Sequence, residues 1–200
     1  HRKMSKSLGN GIDPLDVIAR FGADPLRYTV VAGMGLGVDI IFDPDDLEKS
    51  FAPGRNFVTK LWNIGRFLLT NVGTSPVQAV SEIDRDRLSL ADQWILARLD
   101  AAVAECDAAL GPARPVDKHW TLPERTMGMR LNDYAETARR FVWNELADWY
   151  LEAIKGRLAE GGDDREVARA VLVHAFDGAL RLLHPIVPFI TEALWQKLPG

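Results

Sequence analysis

Apolar residues recur along most of this chain at helical spacing. Ala135, Ala138, Val142, Leu146, Trp149 and Ala153 set one buried face and predict a helix over about 132–158. Leu90, Trp94, Leu96, Leu99, Val103 and Leu110 give a second apolar stripe over about 89–110. After the Gly161-Gly162 break, 164–183 and 186–198 read as helices separated by His184-Pro185. Upstream, Asp13-Pro14 pairs an N-cap with a first-turn proline and starts a short helix to about Phe21. Gly22 stops it, and Asp24-Pro25 repeats the start signal for a helix to about Val31. Gly33–Gly37 reads as a loop and Val38–Phe42 as a short extended segment. A longer helix is expected from Asp43-Pro44 to Val72, kinked or split at Pro53-Gly54. Residues 73–87 read as a linker, and 111–131, with Gly111, Pro112, Pro115 and Pro123, as an insertion loop. With no convincing strand pairing and no internal repeat, the fold class is mainly α, an antiparallel helix bundle.

Composition narrows the setting. The 200 residues are 47% hydrophobic and 26% charged, values of an ordinary globular chain rather than a disordered or fibrous one. A single cysteine, Cys106, excludes an internal disulfide framework and fits a reducing compartment. Charged residues interrupt every apolar run, so no membrane span is expected, and His1-Arg2-Lys3 does not open a signal peptide. The absence of an initiator Met suggests a piece of a longer protein. The net charge of −4 argues against a polyanionic partner, yet the charge is segregated. Asp39, Asp43, Asp45, Asp46 and Glu48 form an acidic block, whereas Lys49 to Ser81 contains Lys49, Arg55, Lys60 and Arg66 and no acid. A basic run of that length is the footprint of a phosphate-facing surface.

Two segments carry candidate chemistry. Lys3-Met4-Ser5-Lys6-Ser7-Leu8-Gly9-Asn10 places two ammonium groups three residues apart among small hydroxylated residues. Such a loop can fold over a triphosphate and set cations where charge grows on leaving pyrophosphate. It lacks P-loop spacing. On the long basic helix, Arg55, Thr59, Trp62 and Arg66 fall within about 60° of one another, and Phe57, Leu61, Ile64 and Leu68 take another face. The polar face suits an RNA backbone, with Trp62 either stacking on a base or filling the core. Bundle size favours the core for Trp62, Trp143 and Trp149. Glu145, Asp148 and Glu152 form an acidic stripe expected to pair with Arg139, Arg140 or Lys155 rather than hold a metal. His184 reads as a structural hydrogen bonder and Cys106 as a small core residue.

Lys3–Ser7 matches the KMSKS signature of the class I aminoacyl-tRNA synthetases, with the Leu8-Gly9-Asn10 extension usual in the valine, isoleucine and leucine enzymes. Further resemblances follow in family order. They are Ile12-Asp13-Pro14, Gly22-Ala23-Asp24-Pro25-Leu26-Arg27, and Arg55-Asn56-Phe57 with Lys60-Leu61-Trp62-Asn63 and Arg66-Phe67. Phe141-Val142-Trp143-Asn144-Glu145 with Asp148-Trp149-Tyr150-Leu151-Glu152, then Leu183 to Glu192 with Leu194-Trp195, complete a likeness closest to the valyl enzymes.

The resemblance implies that 1–42 end a catalytic domain and that 43–200 form an anticodon-binding bundle. It implies ATP as co-substrate, bound by Lys3, Met4, Ser5, Lys6 and Ser7, with Lys6 and Lys3 catalytic and Mg²⁺ ligated by no residue identifiable here. It implies tRNA contacts from Arg55, Asn56, Lys60, Trp62, Asn63, Arg66 and Asn144. The full enzyme would join valine to its tRNA and edit threonine, as a cytoplasmic monomer away from membranes. This chain, without a HIGH signature or amino-acid pocket, is expected to be inactive alone. The alternatives are an isoleucyl or leucyl relative and a non-catalytic RNA-binding bundle. Residues 111–131 exceed the family's usual tight turn, and Pro53-Gly54 breaks a helix that runs straight in relatives.

Overall fold

The computed structural model describes residues 4–8, 10–35, 39–44, 46–111 and 128–199, with the side chain of Lys6 left out. Its helices are α1 (Pro14–Phe21), α2 (Ala23–Gly33), α3 (Leu47–Val72), α4 (Leu90–Leu110), α5 (Leu131–Arg140), α6 (Leu151–Glu160), α7 (Gly162–Leu183) and α8 (Pro188–Trp195). A π-helical segment, Phe141–Tyr150, joins α5 to α6. Among the described residues there is no strand, as a helix bundle requires. No described helix is long and apolar enough to cross a membrane. Most of 112–131 lies outside the described residues, Trp120 and Met127 included, as does Val38 of the expected extended segment.

Local signals place most helix ends. The Asp13 carboxylate accepts the Leu15 N–H at 2.8 Å ahead of Pro14. Ser89 and Asp92 form a reciprocal capping box at the start of α4. Glycines at positive φ end α1, α3, α4 and α6. The third helix starts at Leu47 rather than Asp43, because the Asp46 side chain caps it by accepting the Lys49 N–H at 3.0 Å. It then runs unbroken through Pro53. Pro53 is exposed, so the carbonyl it leaves without a donor can turn to water, while buried Phe51, Gly54 and Phe57 hold the helix against its neighbours. Residues 73–87 are a linker with two short 3₁₀ turns, and Ile83 is tucked into the core.

Three expectations from the pattern are corrected. The buried stripe of α4 is Ile95, Leu99, Ala102, Cys106 and Ala109, with Leu90, Trp94, Val103 and Leu110 exposed. Small residues on that stripe let α4 approach closely, which outweighs the size of the apolar residues elsewhere on it. The face expected over 132–158 holds at Ala135, Ala138, Val142 and Leu146 and then fails: Trp149 is 70% exposed and Ala153 is also exposed. Tyr150, Ile154 and Leu158 are buried instead, one residue later than a 3.6-residue turn predicts. The π segment supplies that residue. The Leu151 N–H donates to the Leu146 carbonyl five positions back, and the wider turn rotates everything after it. A strict four-residue repeat drifts about 40° per step around an α-helix. Here the wide turns absorb the drift and keep 142, 146, 150, 154 and 158 on the core.

The third correction concerns Asp24. It was expected to cap its own helix, but it sits inside α2, 95% buried. Its two carboxylate oxygens accept the N–H groups of Phe189 (3.3 Å) and Ile190 (2.7 Å), at the start of α8. It caps a helix 165 residues away.

Two apolar clusters result. The large one gathers α3 to α8 and takes Tyr28 from α2. The small one is Val17, Phe21 and Phe51, with Ile12, Leu26, Phe42 and Leu47 packed against it, so it joins α1 to the start of α3. Helix α2 spans the two, with Leu26 on the small cluster and Tyr28 in the large one. Its crossing with α3 is tight: a Cβ at Gly54 would fall 2.6 Å from both the Pro25 carbonyl oxygen and Thr29 Oγ1. Only glycine allows that approach.

Candidate nucleotide loop and RNA-facing surface

The lysine-rich loop is closed on itself. The Ser5 N–H donates to Asn10 Oδ1 at 2.9 Å, the Leu8 N–H to the Ser5 carbonyl at 3.2 Å, and the Ser5 and Ser7 hydroxyls lie 3.2 Å apart. A single 3₁₀ turn, Lys6–Leu8, follows from this closure. Met4, Ser7 and Leu8 are exposed. Lys3 and the Lys6 side chain lie outside the described residues.

On α3 the apolar face is buried as its spacing predicts, with Phe57, Leu61, Ile64 and Leu68 each no more than 4% exposed. The opposite face presents Asn56, Thr59, Trp62, Asn63 and Arg66 to solvent. Trp62 is 41% exposed, so it does not anchor the core. Trp143 is half-buried and stacks on Phe57, ring centroids 6.5 Å apart. Asn144, on the π segment, is exposed.

Folding partly neutralises the acid-free run. Arg55 pairs with Glu48 on its own helix, and its guanidinium lies 5.9 Å from the Phe21 ring. Lys60 pairs with Asp148 at 3.1 Å and sits 5.3 Å from the Trp143 ring. Arg66 has no ion pair among the described residues. The acidic stripe is divided among four partners. Glu145 takes a bidentate bond from Arg98 of α4 (3.0 and 2.9 Å) and lies 3.9 Å from the expected Arg140, Asp148 takes Lys60, and Glu152 takes the expected Lys155. Arg98 and Lys60 come from other helices, which helical spacing cannot reveal. Among the described residues no group of acidic, His or Cys side chains could hold a metal ion.

Two of the expected contact residues, Lys60 and Asn63, share a cleft of about 190 Å³ between α3 and the π–α6 junction. Its other walls are Ile64, Phe67, Ala147, Leu151, Glu152 and Lys155. The Lys155 ammonium stands 5.9 Å from the Phe67 ring. Leu151, Glu152 and Lys155 escape a sequence reading because the two helices are some ninety residues apart; the Glu152/Lys155 pairing at i, i+3 is their only local signal. Cationic groups, an amide and an aromatic face around one cleft can take an unstacked base together with its phosphate. The surface therefore joins a closed lysine-serine loop to a helical bundle with an aromatic, amide-bearing cleft.

Family models match both parts. Residues 1–43 match tRNA synthetases class I (I, L, M and V), and residues 124–200 match the anticodon-binding domain of tRNA ligase. Over these two stretches the chain is similar to the class I aminoacyl-tRNA synthetases. Relatives that align along the whole chain include valine–tRNA ligases. That of Petrotoga mobilis is 41% identical over 201 residues, covering 99% of this chain and 20% of the relative. That of Thermotoga maritima is 41% identical over 198 residues, with the same coverage of each. That of Geobacter sulfurreducens is 44% identical over 200 residues, covering 100% of this chain and 20% of the relative. The chain thus spans about a fifth of the length of the curated relatives it matches. Among solved structures, LeuRS of Agrobacterium radiobacter, crystallised as a ternary complex with tRNA and LeuAMS, superposes with a TM-score of 0.69 at 22% identity. It covers 100% of this chain and 21% of that one, a likeness of fold.

Proposed function

We propose that this chain is the segment of a valine–tRNA ligase running from the ATP loop through the anticodon-binding bundle. Such an enzyme activates valine with ATP, transfers it to its tRNA and hydrolyses misactivated threonine, since an apolar pocket cannot strongly reject an added hydroxyl. The observation that carries the reading is alignment with valine–tRNA ligases at about 41% identity over 99% of the chain.

Residues 1–42 would close the catalytic domain and 43–200 would form the tRNA-binding module. When the valine carboxylate attacks the α-phosphate, Lys6, assisted by Lys3, stabilises charge on the departing pyrophosphate. Met4, Ser5 and Ser7 shape the loop around ATP, which brings its own Mg²⁺. The closure through Asn10 supports this, because a loop pinned at its base can still swing its lysines over a nucleotide. Arg55, Asn56, Lys60, Trp62, Asn63, Arg66 and Asn144 would meet tRNA; the exposure of most of them and the Lys60/Asn63 cleft support that assignment. The enzyme would act as a cytoplasmic monomer.

Valine-dependent ATP–pyrophosphate exchange tests the proposal. The full-length protein carrying this segment is expected to exchange with valine, and the 200-residue chain alone is not. Lys6→Ala in the full-length protein is expected to lower exchange by about 10². Exchange driven by isoleucine or leucine instead of valine would reject the assignment, as would valine-dependent exchange by the isolated chain.

A further inference from the structure

Helix α2 and the α7–α8 connection meet in a polar contact. From the first turn of α2, Asp24 caps α8 through the Phe189 and Ile190 N–H groups. One turn further on, Arg27 reaches the same connection from the other side. Its Nε donates to the Ile186 carbonyl and its Nη2 to the Pro185 carbonyl, both at 2.9 Å. Each group meets its opposite: a carboxylate accepts from helix-start N–H groups, and a guanidinium donates to carbonyls of the turn. His184, beside them, holds Thr191 Oγ1 at 2.9 Å and closes the turn internally. Thr191 in turn donates to the Val187 carbonyl at 2.9 Å.

The location of this bracket gives it a consequence. It sits on α2 where the small apolar cluster, which carries α1 and the lysine-serine loop, joins the large cluster of the bundle. Helices α2 and α3 run through both clusters, but apolar contacts between α2 and the α7–α8 connection would by themselves leave that end of the bundle free to tilt. Four directed hydrogen bonds do not. Burial pushes the Asp24 carboxyl up from its usual range, and the Ile190 and Phe189 N–H groups oppose that rise. Such a group is costly to keep merely for adhesion.

We propose that Asp24 and Arg27 are positioning residues that fix the angle between the loop-bearing arm and the α7–α8 end of the bundle, and so the register in which a bundle-held tRNA presents its 3′ end for acylation. This rests on the synthetase reading above. A small tilt at the junction is amplified along a long RNA, so loosening the bracket lowers the fraction of bound complexes in a productive pose. Binding of tRNA to the bundle surface and activation of the amino acid do not depend on that angle.

The test uses the full-length protein with Asp24→Asn, Arg27→Ala and Arg27→Lys, measuring three quantities on each. Aminoacylation kcat is expected to fall about tenfold in Asp24→Asn and Arg27→Ala, about 1.4 kcal/mol of barrier. The KM for tRNA and the rate of ATP–pyrophosphate exchange are expected to stay within about twofold, and Arg27→Lys is expected to recover part of the loss. Arg27 is exposed, so its replacement does not open the core and remains informative if Asp24→Asn folds poorly. A parallel fall in exchange, a rise in tRNA KM at constant kcat, or unchanged aminoacylation in Arg27→Ala would each overturn the proposal. Absence of valine-dependent exchange in the unmutated protein would instead reject the synthetase assignment beneath it.

Discussion

Asp92 is fully buried and holds three elements together, which makes its removal a sharp test of the packing described above. Its carboxylate accepts the Ser89 N–H (2.9 Å) and Ser89 hydroxyl (2.7 Å) at the start of α4. It also accepts the Tyr150 hydroxyl at 2.6 Å from the end of the π segment, and Arg157 Nη1 at 2.9 and 2.8 Å from α6. Arg157 continues to Asp164 at the start of α7, at 2.8 and 2.7 Å. Asp92→Ala would leave a buried phenol without its acceptor and strip a largely buried guanidinium of one of its two carboxylate partners. Breaking one side of a buried pair costs roughly 3–5 kcal/mol. Asp164 still holds Arg157, so the lower end, about 3 kcal/mol, is expected. At about 2–4 °C per kcal/mol for a chain of this size, the melting temperature should drop roughly 6–12 °C. Thermal and urea unfolding followed by far-ultraviolet circular dichroism measures this directly. A double-mutant cycle with Tyr150→Phe should return a coupling above about 0.5 kcal/mol. A loss below about 1 kcal/mol, or strict additivity with Tyr150→Phe, would refute the claim that this carboxylate ties the π segment to α4.

Three further outcomes follow from particular positions. Gly54→Ala drives a Cβ into the α2 backbone and should destabilise by about 1–3 kcal/mol, whereas Gly156→Ala, with nothing within 4 Å, should stabilise by roughly 0.5–1 kcal/mol; urea midpoints with opposite shifts check the pair. Cys106 is 1% exposed and its thiol is pushed up to about 11 by burial, so a maleimide at pH 8 should label it only as fast as the chain unfolds. The Arg157 side chain holds the Asp164 carboxyl below its ordinary value of 3.8. The native state therefore binds fewer protons than the unfolded one in that window, and the contribution is present above pH 3.8 and lost as pH falls through the lower native value. Asp164→Asn should therefore lower the neutral region of a stability–pH curve and flatten its fall below about pH 4, the two proteins converging in strong acid.

Much of the loop and the α3 face was legible in the residues, because both are defined by neighbours a few positions apart. The KMSKS string is contiguous, and Phe57, Leu61, Ile64 and Leu68 announce their burial by spacing alone. The second wall of the cleft was not legible. Leu151, Glu152 and Lys155 reach Lys60 and Asn63 only because α6 lies beside α3. The exposure of Trp149 was also hidden, since the one-residue shift of a π turn follows from how the helix must meet the core. Size misled the reading of α4. Large apolar residues looked like the buried stripe, while Ala102, Cys106 and Ala109 occupied it.

The sequence by itself determined the helices, their caps at Asp13 and Ser89, their glycine stops and the closed basic loop, since each depends on hydrogen bonds spanning a handful of residues. It also placed a basic face on α3. The net field of that face was decided only when folding brought Asp148 to Lys60. The role of Asp24 was likewise set at a distance. Locally it is a good start signal for α2, but the free N–H groups of α8 lie within its reach in the folded chain, and a buried carboxylate goes to the donors that compensate its desolvation. Local rules assign a residue its helix; the packing of the helices assigns it a partner.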